Sequence, residues 1–387
     1  MENFTYYTPT KVVFGKGTEN QTGALVKEQH CKKVLIHYGS GSVVRSGLLD
    51  RIKTSLDEAA VSYVELGGVV PNPRLSLVYE GIELCKKENV DFILAVGGGS
   101  VIDSAKAIGY GVYNGGDVWD FYDFKRQAEG CLPIGAVLTI AAAGSEMSGS
   151  SVITKEDGQI KRGYSSNFSR ARFAVMNPEP PYQTASGCVD ILMHTMERYF
   201  NQCDNMELTD GISESLMRTV MKNAKILKDE PDNYDARAEV MWAGSLSHNG
   251  LTGCGTDGGD WATHKMEHEV GGLFDVAHGA GLAALWGSWA RFVLDARPAR
   301  FAQFATHVLD VTAGADDTET ALKGIEAMED FYHSIDMPVS LSELGVTPTP
   351  EQIRTMAEKC DISTHHNAGK VKHLSVEDMV AIYTTAL

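Results

Sequence analysis

The chain has 387 residues, 43% of them apolar, enough to bury two separate cores. Its formal net charge of −17 excludes a surface built to hold nucleic acid or anionic membrane, because both need clustered Lys and Arg. The expected partner is therefore a small molecule, with no nucleic acid and no membrane. Seven cysteines, at 31, 85, 131, 188, 203, 254 and 360, never fall in a C-x-x-C spacing. This argues against a disulfide framework or a cysteine zinc site, and for a reducing, cytoplasmic location. No basic leader with an apolar core opens the chain, and no apolar run approaches the roughly 18 to 20 residues of a membrane span.

From Thr10 to about Asn177, short β-branched runs alternate with helical segments, which predicts a parallel α/β sheet. Val34–Tyr38 reads as a buried strand and leads into Gly39-Ser40-Gly41-Ser42, then a helix near Leu48 to Ala60. Tyr63–Leu66 is the next strand. Gly67-Gly68 and Pro71-Asn72-Pro73 form a turn before a helix over Leu75 to Glu88. Asp91–Val96 is the clearest strand of the chain, and it runs directly into Gly97-Gly98-Gly99-Ser100 and a helix through about Tyr110. Glycines let backbone N–H groups approach an anion closely, and the helix N-terminus adds a favourable dipole, so this unit suits a pyrophosphate. Ser100 is expected as the N-cap, with Asp103 completing a capping box. The usual dinucleotide fingerprint is incomplete, because Ile102 stands at its third glycine, so an ordinary glycine-rich turn stays open as an alternative.

Leu132–Thr139 is a further strand ending in Ala141–Glu146, a second small-residue loop able to approach a ligand. Residues 151–177 read as β structure carrying Lys161, with a final strand at Phe173–Met176, and Asn177-Pro-Glu-Pro-Pro181 then breaks the chain. Beyond it the period changes to 3.6, so two domains are expected: an α/β nucleotide-binding domain over residues 1–180 and an all-helical domain over 181–387.

The helical part holds two clusters of candidate ligands. Three of the twelve histidines, His264, His268 and His278, lie within fifteen residues. His264 and His268 share one face of a helix that Gly271-Gly272 is expected to end, and a short connection returns His278. Asp190 and His194 repeat the spacing of four upstream. Carboxylate and imidazole together suit a divalent transition metal better than calcium or magnesium. Each pair taken alone also reads as hydrogen-bonded interior residues. His264-x-x-Glu267-His268 also matches the inverted zinc-peptidase pattern, in which the glutamate activates water.

Pro9-Thr-Lys-Val-Val-Phe-Gly-Lys-Gly17, Gly67-Gly68 with Pro71-Asn72-Pro73, Gly97-Gly-Gly-Ser-Val-Ile-Asp103, Asp190-x-x-x-His194, and His264-x-x-x-His268 with His278-Gly279 occur in this order along the whole chain. The set resembles the iron-containing (group III) alcohol dehydrogenases, most closely their butanol dehydrogenase and NADPH-dependent aldehyde reductase branch. The resemblance implies a Rossmann-like domain followed by a helical domain, the architecture shared with glycerol dehydrogenases and dehydroquinate synthases. It implies Fe2+ or Zn2+ held by Asp190, His194, His264 and His278, with His268 near the substrate and nicotinamide rather than on the metal. It places Gly97, Gly98, Gly99 and Ser100 at the pyrophosphate, with Thr139, Ser145 and Lys161 close to the nucleotide; Gly39, Ser40, Ser42, Asn72 and Asp103 are the further candidates for the cofactor site. Ala143 departs from the family, which commonly has Thr there, so one hydroxyl contact to the cofactor is absent.

The expected activity is hydride transfer between NAD(P)(H) and a small primary alcohol or aldehyde, in a homodimer. A dehydroquinate synthase or glycerol dehydrogenase activity on the same fold, and the zinc peptidase, are the alternatives. NADP(H) is the expected coenzyme, with NAD(H) second. The loop after the first strand, Tyr38–Ser42, carries no acid to repel a 2'-phosphate, although Glu65 at the next strand is a candidate for that role.

Overall fold

Phe92–Gly97 is buried at every position, the pattern of a strand covered on both faces. The computed structural model describes residues 1–179 and 185–387. Its strands are β1 (Lys11–Phe14), β2 (Lys33–Gly39), β3 (Ser62–Val69), β4 (Phe92–Gly97), β5 (Ile134–Leu138), β6 (Ser150–Lys155), β7 (Ile160–Ser165) and β8 (Phe173–Met176). Six of them form a sheet in the order β1-β8-β5-β4-β2-β3, with β6 and β7 as a separate two-stranded ribbon. Every pairing in the large sheet is parallel, as the alternation of strands and helices requires. The helices around it are α1 (Thr22–Lys27), α2 (Ser42–Arg45), α3 (Leu48–Glu58), α4 (Leu75–Glu88), α5 (Gly99–Asn114) and α6 (Trp119–Tyr122). Val34, Ile36, Phe92, Leu94, Val96, Val137, Phe173 and Val175 pack with Ile52 and Leu56 of α3 into one core. Helix α3 stops short of Ala60, which takes a φ of 56°. Helix α5 runs past Tyr110 until Gly115, with a φ of 62°, ends it.

After residue 184 the described chain is helical: α7 (Ala185–Tyr199), α8 (Glu207–Asp229), α9 (Tyr234–His248), α10 (Ala262–Phe274), α11 (His278–Val293), α12 (Pro298–Val308), α13 (Asp317–Ser334), α14 (Pro350–Ser363) and α15 (Val376–Thr385). No described helix is long and apolar enough to cross a membrane. Helix α10 runs through Gly271 and Gly272, where a stop was expected. Asp275, left-handed at a φ of 52°, ends it instead, donating its N–H to the Gly271 carbonyl at 3.0 Å.

The chain divides into two compact units, Tyr7–Tyr182 and Met1–Tyr6 with Gln183–Leu387. The expected boundary at 180/181 lies outside the described residues. The first six residues, expected with the nucleotide domain, go instead with the helical unit. There the Glu2 N–H donates to the Gly255 carbonyl at 2.8 Å and the N-terminal ammonium to that of Asp204 at 3.2 Å.

Candidate metal centre and coenzyme loops

Helix α7 places Asp190, His194 and Glu197 at spacings of four and three, hence on one face, and all three are buried. Helix α10 presents His264 to that face, and α11 opens with His278 after a connection of three residues, 275–277. The Asp190 Oδ1 atom lies 3.4 Å from His194 Nδ1, 3.7 Å from His264 Nε2 and 3.8 Å from His278 Nε2. Three of these atoms, Asp190 Oδ1, His194 Nδ1 and His264 Nε2, are buried without a hydrogen-bond partner. Orphaned interior atoms of this kind are costly unless something else binds them. His37, by contrast, is an interior histidine in its ordinary state, with Nδ1 on the Leu66 carbonyl and Nε2 on Ser104 Oγ, each at 2.9 Å.

The charge balance points the same way. Four carboxylates, Asp190, Glu197, Asp260 and Glu267, are buried around these imidazoles. Burial, and Glu197 beside it, raise Asp260 against three backbone N–H donors. Burial alone would lower His264, but Asp190 and Glu197 outweigh it and hold the imidazole above its ordinary value. His194, buried and flanked by His248 and His264, is held well below its ordinary value. A pocket lined by buried carboxylates that offers one carboxylate oxygen and three imidazole nitrogens, and leaves buried lone pairs unused, fits a divalent transition ion such as Fe2+ or Zn2+.

Two of the three rings, His264 and His278, are held from behind at their other nitrogen. Glu197 Oε1 accepts from the His264 backbone N–H at 3.0 Å and lies 3.1 Å from His264 Nδ1, while Glu267 Oε2 is bonded to His278 Nδ1. Sequence reasoning missed Glu197, although its position seven residues after Asp190 is the signal that would have found it. His248 was missed as well; its ring lies 3.9 Å from that of His194. His268 stands apart from the Asp190 group. One of its ring nitrogens lies within 4.8 Å of a Glu267 carboxylate oxygen and a His278 ring nitrogen, and it is 7% exposed. With Glu267 wholly buried behind His278, the water-activating role that the peptidase pattern requires has no geometry here.

In the α/β unit most of the expected coenzyme residues gather at the C-terminal ends of the parallel strands, while Lys161 stands on the separate ribbon of β6 and β7. The loops after β2 (Gly39, Ser40, Ser42), β4 (Gly97–Ser100) and β5 (Thr139 to Ser145) leave the C-terminal ends of three adjacent strands, the position where open α/β sheets bind nucleotides. The Thr139 N–H donates to the Gly97 carbonyl at 3.1 Å, fixing the last two loops together. A Cβ on Gly99 would lie 3.3 Å from that of Ala143, so the two loops already touch there. Asn72, at a φ of 53°, follows β3, and the next residue's carbonyl accepts from the Thr154 N–H at 2.8 Å. Lys161 of β7 pairs in register with that same Thr154.

The capping box expected at Ser100 does not form. Helix α5 begins at Gly99 with Gly98 as N-cap, and Asp103 faces the neighbouring loop, accepting from Ser145 Oγ at 2.6 Å and from the Val152 N–H at 3.0 Å. A second anchor was not legible in the sequence. Lys106, fully buried, donates from Nζ to Ser145 Oγ and to the carbonyls of Ser145, Ser148 and Ser150, at 2.6 to 3.1 Å. Burial pushes its ammonium down to about 8, against the pull of Asp103 and Glu146. Lys106→Met would leave those acceptors unmatched. We expect it to cost about 3 kcal/mol of stability and to raise the KM for coenzyme while metal content stays at the parent level. Thermal unfolding, coenzyme titration and metal analysis check this.

Comparison with known proteins agrees with both halves. Residues 9–178 match the model described as iron-containing alcohol dehydrogenase, and residues 184–387 its C-terminal counterpart. The chain is 40% identical, over the full length of both, to the probable NADH-dependent butanol dehydrogenase 1 of Bacillus subtilis. It is 35% identical to the NADPH-dependent aldehyde reductase YqhD of Escherichia coli, over 89% of this chain and 90% of that one. The crystal structure of NADH-dependent butanol dehydrogenase A from Thermotoga maritima superposes with a TM-score of 0.96 at 38% identity, covering 100% of this chain and 99% of that one. With matches spanning nearly every residue and the parallel sheet and helical unit both in place, the chain belongs to the iron-containing alcohol dehydrogenase family.

Proposed function

We propose that the chain reduces small aldehydes and oxidises the corresponding primary alcohols, using a divalent metal held by Asp190, His194, His264 and His278. The observation that carries this reading is Asp190 Oδ1, with an imidazole nitrogen at 3.4, 3.7 and 3.8 Å. When bound, the metal supplies Lewis acidity toward the substrate oxygen, and the nicotinamide coenzyme carries the hydride. Asp190 brings the one negative charge among the four donors, and neutral imidazoles complete the set. His268, buried beside His278 and outside the Asp190 group, is the residue that holds or releases the proton exchanged with the substrate oxygen, at a ring nitrogen.

The coenzyme is bound by Gly39, Ser40, Ser42, Asn72, Gly97 to Ser100, Thr139, Ser145 and Lys161, with Asp103 acting through Ser145. NADP(H) is accepted, and the local chemistry after β2 supports this. Glu65 is not at a strand end, as the sequence suggested, but mid-strand, level with Ile36 and paired with Lys53 at 2.7 Å. Gly39 lies three steps along the strand from Ile36, roughly 10 Å. The Arg45 guanidinium instead folds over Gly41, its Nη1 2.5 Å from where a Cβ would stand. A positive group over an acid-free loop favours a 2'-phosphate. A homodimer in a reducing cytoplasm completes the reading, supported by seven free cysteines and by the exposed apolar Leu208 and Trp242.

The test is butanal reduction by Fe2+-loaded and Zn2+-loaded protein, with kcat/KM measured for NADPH and NADH. We expect turnover with either coenzyme and NADPH at least as effective as NADH. A tenfold preference for NADH, about 1.4 kcal/mol, defeats the coenzyme reading alone. Absence of any metal-dependent turnover defeats the whole.

A further inference from the structure

We propose that Glu197 and Glu267 are positioning residues of the metal centre, each accepting the Nδ1–H of one ligand imidazole, His264 and His278, and so committing Nε2 to the metal. The inference rests on the metal reading above. A neutral imidazole has one N–H and one lone pair, so an acceptor fixed at Nδ1 leaves the lone pair on Nε2. In both residues Nε2 is the nitrogen that faces Asp190, at 3.7 Å for His264 and 3.8 Å for His278. Behind each stands a carboxylate oxygen: Glu197 Oε1 at 3.1 Å from His264 Nδ1, and Glu267 Oε2 on His278 Nδ1. His194 is the contrast that makes the pattern informative. It turns Nδ1 toward Asp190, at 3.4 Å, and its ring packs against His248.

The two glutamates are placed for this task by different means. Glu197 is 2% exposed, and its Oε1 also takes the His264 backbone N–H at 3.0 Å. Trp261, the N-cap residue of α10, is left-handed with a φ of 63° and its indole offers no acceptor, so Asp260 Oδ1 takes the Ala262 N–H at 3.1 Å and Glu197 takes that of His264. One oxygen of α7 therefore holds both the first turn of α10 and the ring that the turn carries. Glu267 is fully buried, three residues after His264 on α10, and its carboxylate reaches across to the first residue of α11. Gly281, one turn into α11, leaves the room: a Cβ there would lie 2.9 Å from Glu267 Cγ. A divalent ion with Asp190 and three neutral imidazoles carries one net positive charge, and the buried carboxylates behind two of the rings more than offset it while raising ligand basicity.

Glu197→Gln and Glu267→Gln separate this role from plain support, because glutamine keeps the size and one acceptor oxygen but loses the charge. The experiment measures Co2+ affinity by competition with a chelator, the visible spectrum of the Co2+-loaded protein, and unfolding of the metal-free protein. We expect each variant to bind Co2+ about ten to a hundredfold more weakly, with an altered Co2+ spectrum and a metal-free unfolding temperature close to the parent's. Parent-like affinity and spectrum in both variants overturn the proposal. A parent chain that itself binds no Co2+ overturns the metal reading beneath it, a different outcome from the first.

Discussion

His264→Ala is expected to empty the metal site and abolish turnover, whereas His268→Ala is expected to keep the metal and lose rate. The two histidines are one helical turn apart and almost equally buried, at 5% and 7% exposure, so burial does not separate them. Position relative to Asp190 does. His264 Nε2 is 3.7 Å from Asp190 Oδ1 and is one of the buried atoms left without a hydrogen-bond partner, while His268 groups with Glu267 and His278 instead. Removing the His264 ring also strips Glu197 of its imidazole partner, leaving a buried carboxylate with less to bind. Four-ligand sites bind with on the order of 10 kcal/mol, so one ligand accounts for about a hundredfold or more in affinity. Loss of a proton carrier with the metal intact costs about 10² to 10⁴ in rate. Metal content after dialysis, then kcat at saturating metal, distinguishes the two. An empty His268→Ala protein beside a full His264→Ala protein would reverse the assignment.

The parts of this molecule legible in the sequence are those with a local signature. Strand β4, the glycine run after it and helix α4 follow from hydrophobic runs and punctuation, and α4 begins and ends at the expected residues, Leu75 and Glu88. The Asp190 and His194 pair and the three downstream histidines were visible as candidates because a spacing of four on a helix is a short-range pattern. What was hidden depends on long-range contact. Asp103 follows Ser100 at capping-box spacing, yet its carboxylate is taken by Ser145 and Val152, more than forty residues on. Lys106 reads as one polar residue in a small-residue helix until the loop it binds is folded over it. Glu267 matched a catalytic pattern five residues long, and only the return of α11 shows that its partner is His278. The end of α10 was misjudged for the opposite reason. Glycine pairs commonly stop helices, but Gly271 and Gly272 sit in one whose end is set by Asp275.

Gly279→Ala is expected to cost the protein its metal through backbone alone, with every proposed ligand still present. Gly279 is the second residue of α11, next to His278, and a Cβ there would lie 1.9 Å from the Ser186 carbonyl oxygen of α7. A backbone carbonyl cannot rotate away as a side chain would, so the two helices must move apart to admit the methyl group. That motion acts on the proposed ligands directly. Asp190 follows Ser186 by one turn and His278 adjoins Gly279, so it widens the 3.8 Å approach of Asp190 Oδ1 to His278 Nε2. Overpacking of this kind costs typically about 1 to 3 kcal/mol in stability, and the larger effect falls on metal, because ligand geometry tolerates errors of only about 0.2 Å. Gly211 supplies the control. It lies inside α8 with nothing within 4 Å of its would-be Cβ, so Gly211→Ala should stabilise by about 0.5 to 1 kcal/mol. Metal per chain after dialysis and the unfolding temperature of both variants decide the matter. If Gly279→Ala retained metal as fully as Gly211→Ala, the contact between α7 and α11 would not be what holds Asp190 against His278.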